Sequence, residues 1–124
     1  MTRNSLYAFY GSLRRGMELY KKFEPHLQYK FSMWLSGYEM YSLGPYPCIV
    51  HSQNYSSKIL VEVMEVCHAE TEKEIHEIEI DAGYFLTHLQ LQNQQVGIYL
   101  FNESKNYPPV LSGDWVTFFG ELER

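Results

Sequence analysis

Cysteine is scarce in this chain: two residues, Cys48 and Cys67, among 124. They form no CxxC pair, and no His or Cys stands at zinc-ligand spacing. The sequence therefore offers neither a disulfide framework nor a metal site. Both cysteines are read as buried, inert thiols. Basic residues are also few. Ten Lys and Arg stand against fifteen Asp and Glu, for a formal net charge of -5. That balance repels a phosphate backbone, and no basic cluster offsets it, so nucleic acid is not expected as a partner. Arg14, Arg15, Lys21 and Lys22 are read as a small solvated patch. No apolar run is long enough to cross a bilayer, and the N-terminus lacks a signal-peptide core. The expected setting is a reducing cytoplasm without a membrane partner. No repeat, low-complexity tract or linker divides the chain, so residues 1–124 are expected to form one domain.

Tyrosine, by contrast, is abundant: eleven residues within an aromatic fraction of 16%. Aromatic rings suit a pleated, half-buried surface, which favours strands. Strands are expected at Ser5–Tyr10, Tyr29–Tyr41, Cys48–His51, Lys58–Val66, Tyr84–Leu91, Gln95–Phe101 and Val116–Leu122. In the second of these, Phe31, Met33 and Leu35 share one face, while Ser32, Trp34 and Ser36 share the other. Gly37 marks a bulge or bend within it, and "SLGPYP" at Ser42–Pro47 carries turn chemistry. A hairpin through Asn93 joins the fifth and sixth segments. Met17–Phe23 reads as a short helix. Thr71–Ile80 is the clearest helix, with Thr71 and Glu74 spaced as a capping box and an acidic first turn. Dominant strands with one inserted helix predict an α+β domain with a curled or barrel-like sheet.

Two features could carry chemistry. The first is "YAFYGSLRRG", Tyr7–Gly16, which begins as a strand and ends as a loop. Gly11 allows positive φ or close approach of a ligand, Ser12 adds a hydroxyl, and consecutive N–H groups there could form an anion-binding nest. It matches neither GxxxxGK[ST] nor GxGxxG, and taken alone it reads first as a plain strand-to-turn junction. The second is the glutamate pair of the helix. At about 100° per residue, Ile75 and Ile78 define the inward face. Glu79 adjoins both, whereas Glu77 points to solvent. A carboxyl beside apolar groups loses hydration and its pKa rises, as a general acid or base near neutrality requires. The alternative is a boundary glutamate reaching back to water. His76 lies three residues before Glu79, within touching distance on a helix. A Cys-His nucleophile would need Cys48 or Cys67, for which no spacing speaks.

Taken together, "YGSLRRG" near the N-terminus, "YSLGPYP" followed by "CIV", "IHEIEIDAGY" and "SGDW" at Ser112–Trp115 resemble, in that order, the γ-glutamylcyclotransferase-like (AIG2-like) family. The resemblance spans nearly the whole chain. It implies a small mixed β-barrel with short flanking helices. It also implies an enzyme without cofactor or metal that closes a small γ-glutamyl amide on itself, releasing 5-oxoproline and a free amine or amino acid. Glu79 falls at the position of the family's catalytic glutamate. Tyr10, Gly11, Ser12 and Leu13 fall at the substrate cavity, and Tyr84 at the aromatic that follows the helix. Tyr46 and Trp115 are either pocket walls or packing residues. The chain departs from the family at His76, where Asp is usual, and at Leu86, where Arg is common. A binding module of the same fold, holding a small carboxylate without turnover, is the alternative reading. Oligomeric state and the leaving amine are not legible.

Overall fold

The computed structural model describes residues 5–122. Among them, a five-stranded sheet runs in the order β2-β5-β1-β7-β6, and a separate ribbon pairs β3 with β4. The strands are β1 (Leu6–Phe9), β2 (Leu27–Ser36), β3 (Tyr38–Ser42), β4 (Pro47–His51), β5 (Lys58–Val66), β6 (Phe85–Leu91) and β7 (Gln94–Leu100). Helices α1 (Glu18–Phe23), α2 (Ala69–Asp81) and α3 (Trp115–Leu122) flank them. The sheet is antiparallel except where β1 meets β7 in parallel, Tyr7 opposite Gly97. The architecture is thus α+β. The ribbon is tied to the end of β7 by the Phe101 N–H, which donates to the Ile49 carbonyl at 2.9 Å. Among the described residues the strand ladders do not close into a continuous barrel.

The central strand explains the core. β1 is buried along its whole length, and its alternating side chains enter two separate apolar clusters. Leu6, Ala8 and Tyr10 pack with Val61, Ile98 and Trp115. Tyr7 and Phe9 pack with Met64, Ile75, Tyr84 and Tyr99 on the other side. Helix α2 contributes Ile75 to the second cluster, and α3 contributes Trp115, Phe118 and Phe119 to the first.

Several expectations change. The long segment from Tyr29 to Tyr41 divides at Gly37, whose φ of +88° turns the chain from sheet to ribbon. Its alternation holds: Ser32, Trp34 and Ser36 are exposed, while Phe31 and Met33 are partly and Leu35 fully covered. The segment Val116–Leu122 is helix, not a closing strand. Asp114 starts it, its carboxylate accepting from the Thr117 N–H at 3.3 Å and the Thr117 hydroxyl at 2.9 Å. Trp115, Phe118 and Phe119 then recur at helical spacing, so the aromatic-rich run serves a helix face. The capping box also fails. Helix α2 begins at Ala69 with His68 as its N-cap residue. Thr71 lies inside it, with its hydroxyl 2.6 Å from His26 Nδ1. Cys48 is buried, and burial pushes its thiol up to about 11, but Cys67 is exposed. Arg14, read as part of a solvated patch, is buried. No helix among the described residues is long and apolar enough to cross a membrane.

Candidate active site

The chain leaves β1 at Tyr10 and turns at once. The Arg14 N–H donates to the Gly11 carbonyl at 3.0 Å, and the Tyr20 N–H donates to the Ser12 carbonyl at 3.0 Å. These bonds fix the carbonyls of the loop. The N–H groups of Gly11, Ser12 and Leu13 donate to no described residue. All three residues line a cavity of about 180 Å³, together with Tyr10, Glu79 and Tyr84. All six sequence-selected residues thus meet in one place, although they come from the loop after β1, from α2 and from the residue before β6. The volume is below the ~300–1,000 Å³ of pockets for drug-sized ligands, so it suits a small metabolite.

Glu79 is the acidic group in the cavity lining, and no Lys, Arg or His lines it among the described residues. The side chain is only partly covered. Its neighbours Ile78, Ala82 and Leu19 are apolar. They strip water from the carboxyl, and burial raises its pKa from 4.5 to about 7. Glu77 is exposed, as the helical wheel requires.

Of the four tyrosines in the cavity lining, Tyr10, Tyr46, Tyr84 and Tyr99, three have tethered hydroxyls. The Tyr84 hydroxyl donates to the Pro47 carbonyl, and that of Tyr10 to the Tyr99 carbonyl at 2.6 Å. The Tyr99 hydroxyl meets His76 Nδ1 at 2.8 Å. Burial pushes all three phenols above their ordinary value, so they are neutral at pH 7. His76 therefore supports the wall through Tyr99. Leu86 packs with the apolar cluster around Tyr7 and Phe9.

Pro47 and Tyr99 were not selected from the sequence. Pro47 sat in a stretch read as a turn, and Tyr99 in a run buried from Val96 to Leu100, where no alternation singles out a residue. Tyr46 does line the cavity, but Trp115 does not; it is fully buried in the opposite cluster. The reason for glycine at position 11 also differs from expectation. Its φ is not in the left-handed region. A Cβ there would meet Pro47 Cγ at 2.8 Å and Cδ at 2.9 Å, so Gly11 makes room for protein. Among the described residues no group of three or more His, Cys, Asp or Glu could hold a metal.

A sequence model of the γ-glutamyl cyclotransferase, AIG2-like family matches residues 7–117. The chain belongs to this family. Solved structures agree with the fold. An uncharacterized protein of Pyrococcus horikoshii, PH0828, is 28% identical with a TM-score of 0.78, covering 95% of each chain. The uropathogenic E. coli-specific protein c4763 is 17% identical with a TM-score of 0.77, over 96% of this chain and 98% of its own. An AIG2-like protein from Mus musculus is 16% identical with a TM-score of 0.65, over 90% of this chain and 84% of its own. No curated protein matches. Membership in the AIG2-like family supports a cyclotransferase-type role in general terms.

Proposed function

We propose that the chain cyclises a small γ-glutamyl amide to 5-oxoproline, with Glu79 as general base and then general acid. The observation that carries this reading is the meeting, in one small cavity, of a carboxyl with a pKa near 7 and a loop of uncommitted N–H donors.

The α-amine of such a substrate enters mostly as an ammonium. Glu79, as carboxylate, removes one proton, and the amine nitrogen attacks the γ-carbonyl carbon. A C–N bond forms and the carbonyl π electrons move to oxygen. Donors aimed at that oxygen stabilise the tetrahedral oxyanion in a water-poor pocket. Collapse re-forms the carbonyl and breaks the original amide C–N bond. The protonated Glu79 returns its proton to the departing amine, while the new ring nitrogen, which still carries two hydrogens, sheds one to water and the released amine takes one up to leave as an ammonium. A carboxyl poised near neutrality serves both directions, whereas one near 4.5 would be a poor acid partner for an amine. With no cationic side chain in the lining among the described residues, the substrate α-carboxylate falls to the backbone N–H groups of Gly11–Leu13. Tyr10 and Tyr84 hold the folded substrate between them, so that amine and carbonyl stay adjacent.

The test is incubation with γ-glutamyl dipeptides and γ-glutamylamines, with 5-oxoproline read by mass spectrometry. Turnover is expected to fall about 10²–10⁴-fold in Glu79→Gln. The wild-type kcat/KM is expected to climb with pH through a limb near 7, as the carboxylate forms. Equal activity in wild type and Glu79→Gln would remove Glu79 from the chemistry. Binding of 5-oxoproline with no turnover of any substrate would turn the assignment to a binding module.

A further inference from the structure

Two arginines follow the cavity loop, and neither lines the cavity. The Arg14 side chain is 8% exposed, and that of Glu62 on β5 is 5% exposed. Arg14 Nε–H donates to Glu62 Oε2 at 3.1 Å, and its Nη1 donates to Asp114 Oδ1 at 2.8 Å. The second oxygen of Glu62, Oε1, accepts from the Arg15 backbone N–H at 2.9 Å and from Arg15 Nε–H at 3.2 Å. The Arg15 guanidinium lies over the Tyr29 ring, 3.6 Å from its centroid. One buried carboxylate therefore holds a side chain and a backbone amide directly after the three uncommitted N–H groups.

The charges within this network balance, two guanidiniums against two carboxylates. It does not act as an anion attractor beside the cavity. Nor is stability a sufficient reason for it, because apolar residues of similar volume commonly do as well as a buried ion pair. What directional, charge-assisted bonds supply and apolar packing does not is a fixed geometry. Glu62 is placed for that. It stands opposite Phe9 in the β1–β5 register, on rigid sheet, beside the point where the chain leaves β1.

We propose that Glu62, Arg14 and Arg15, braced by Asp114, form a clamp that positions the N–H groups of Gly11, Ser12 and Leu13 along the cavity. These are positioning residues, and the ligand used to test them rests on the cyclotransferase reading.

The decisive variant replaces the buried pair together, Arg14→Met with Glu62→Leu, so that neither partner is left as a lone buried charge; Asp114, 22% exposed, loses Arg14 but keeps its bonds from Thr117. Its melting temperature is expected to match or exceed wild type. Amide hydrogen exchange at residues 14 and 20, whose N–H groups are bonded to the Gly11 and Ser12 carbonyls, is nevertheless expected to quicken at least about tenfold. 5-Oxoproline affinity is expected to weaken, and KM to rise, at least about tenfold, with KM changing more than kcat. Glu62→Gln, which keeps the shape but weakens the bonds, serves if the double variant does not fold; the same direction is expected. Val96→Ala, a cavity in the opposite cluster, is the control. It lowers the melting temperature and leaves loop exchange and affinity unchanged. Unaltered exchange at residues 14 and 20 in the clamp variants overturns the proposal, as does faster exchange with unaltered affinity. If wild type neither binds nor makes 5-oxoproline, faster exchange still supports the clamp and it is the cyclotransferase reading that falls.

Discussion

The two faces of the five-stranded sheet are built from different materials. One face packs Val61, Val63, Val96, Ile98, Leu100 and Trp115 into a cluster dominated by aliphatic groups. The other packs Tyr7, Phe9, Tyr84 and Tyr99, with ring centroids of Tyr7 and Tyr99 6.1 Å apart and nearly parallel. On that second face the hydroxyls are tethered: Tyr7 to Glu72, Tyr84 to Pro47, Tyr99 to His76. Aliphatic side chains fill space without direction and tolerate no void. A flat ring held at its tip by a hydrogen bond keeps its place beside an empty volume. The cavity opens on the tethered face because that face has walls which do not collapse.

Removing a wall from each face should sharpen the contrast. The largest effect is expected from Trp115→Ala on the dry face, a loss of about 3–5 kcal/mol, read from the urea midpoint. Ligand affinity per folded molecule should be unchanged. Next comes Glu79→Gln on the tethered face, with the opposite sign. The folded-state pKa of about 7 lies above the ordinary 4.5. Between those values the folded chain holds a proton that the unfolded chain has lost. Wild-type stability from this group is complete below about pH 4.5 and is lost as pH rises through about 7. The glutamine variant carries no such loss. It should gain on wild type by at most about 3 kcal/mol between pH 5 and pH 8, measured by parallel denaturation curves. Tyr84→Phe removes one tether to Pro47. It should cost about 1 kcal/mol and weaken ligand binding more than it lowers the melting temperature. A fall in melting temperature with intact binding would mean that the tether is ordinary packing. The smallest effect belongs to Glu77→Gln, exposed on the far side of α2. It should shift stability by less than about 0.5 kcal/mol and leave turnover alone; a large loss of turnover would exchange the roles of the two glutamates.

The sequence was most readable where the cause of structure is local. The choice of Glu79 over Glu77 needed only the 3.6-residue repeat around Ile75 and Ile78. The bend at Gly37 and the hairpin at Gln92 and Asn93, both with positive φ, are written in a few adjacent residues. The α3 helix was misread because "WVTFF" carries strand-forming residues. Its cap, Asp114, was the overlooked signal. Arg14 was misread for a different reason. Its partners Glu62 and Asp114 lie far along the chain, and only the pairing of β1 with β5 and the placing of α3 bring them to it. The role of Pro47 against Gly11 is likewise a property of the assembled cavity, with no trace in either residue's neighbours.

The parallel pairing of β1 with β7 has a consequence for the birth of the protein. On the ribosome the first strand emerges early, yet its neighbours are β5 and, opposite Tyr7, the segment around Gly97. Contacts between such distant segments are slow to form, since a long loop must close before any reward arrives. Until most of the chain is synthesised, the apolar strand Leu6–Phe9 has no sheet to join, and Tyr99 is not yet there to complete the cavity wall. The cavity is therefore completed late, when β7 pairs with β1, and a nascent chain shorter than β7 has the Gly11–Leu13 loop but lacks the Tyr99 wall that it borders.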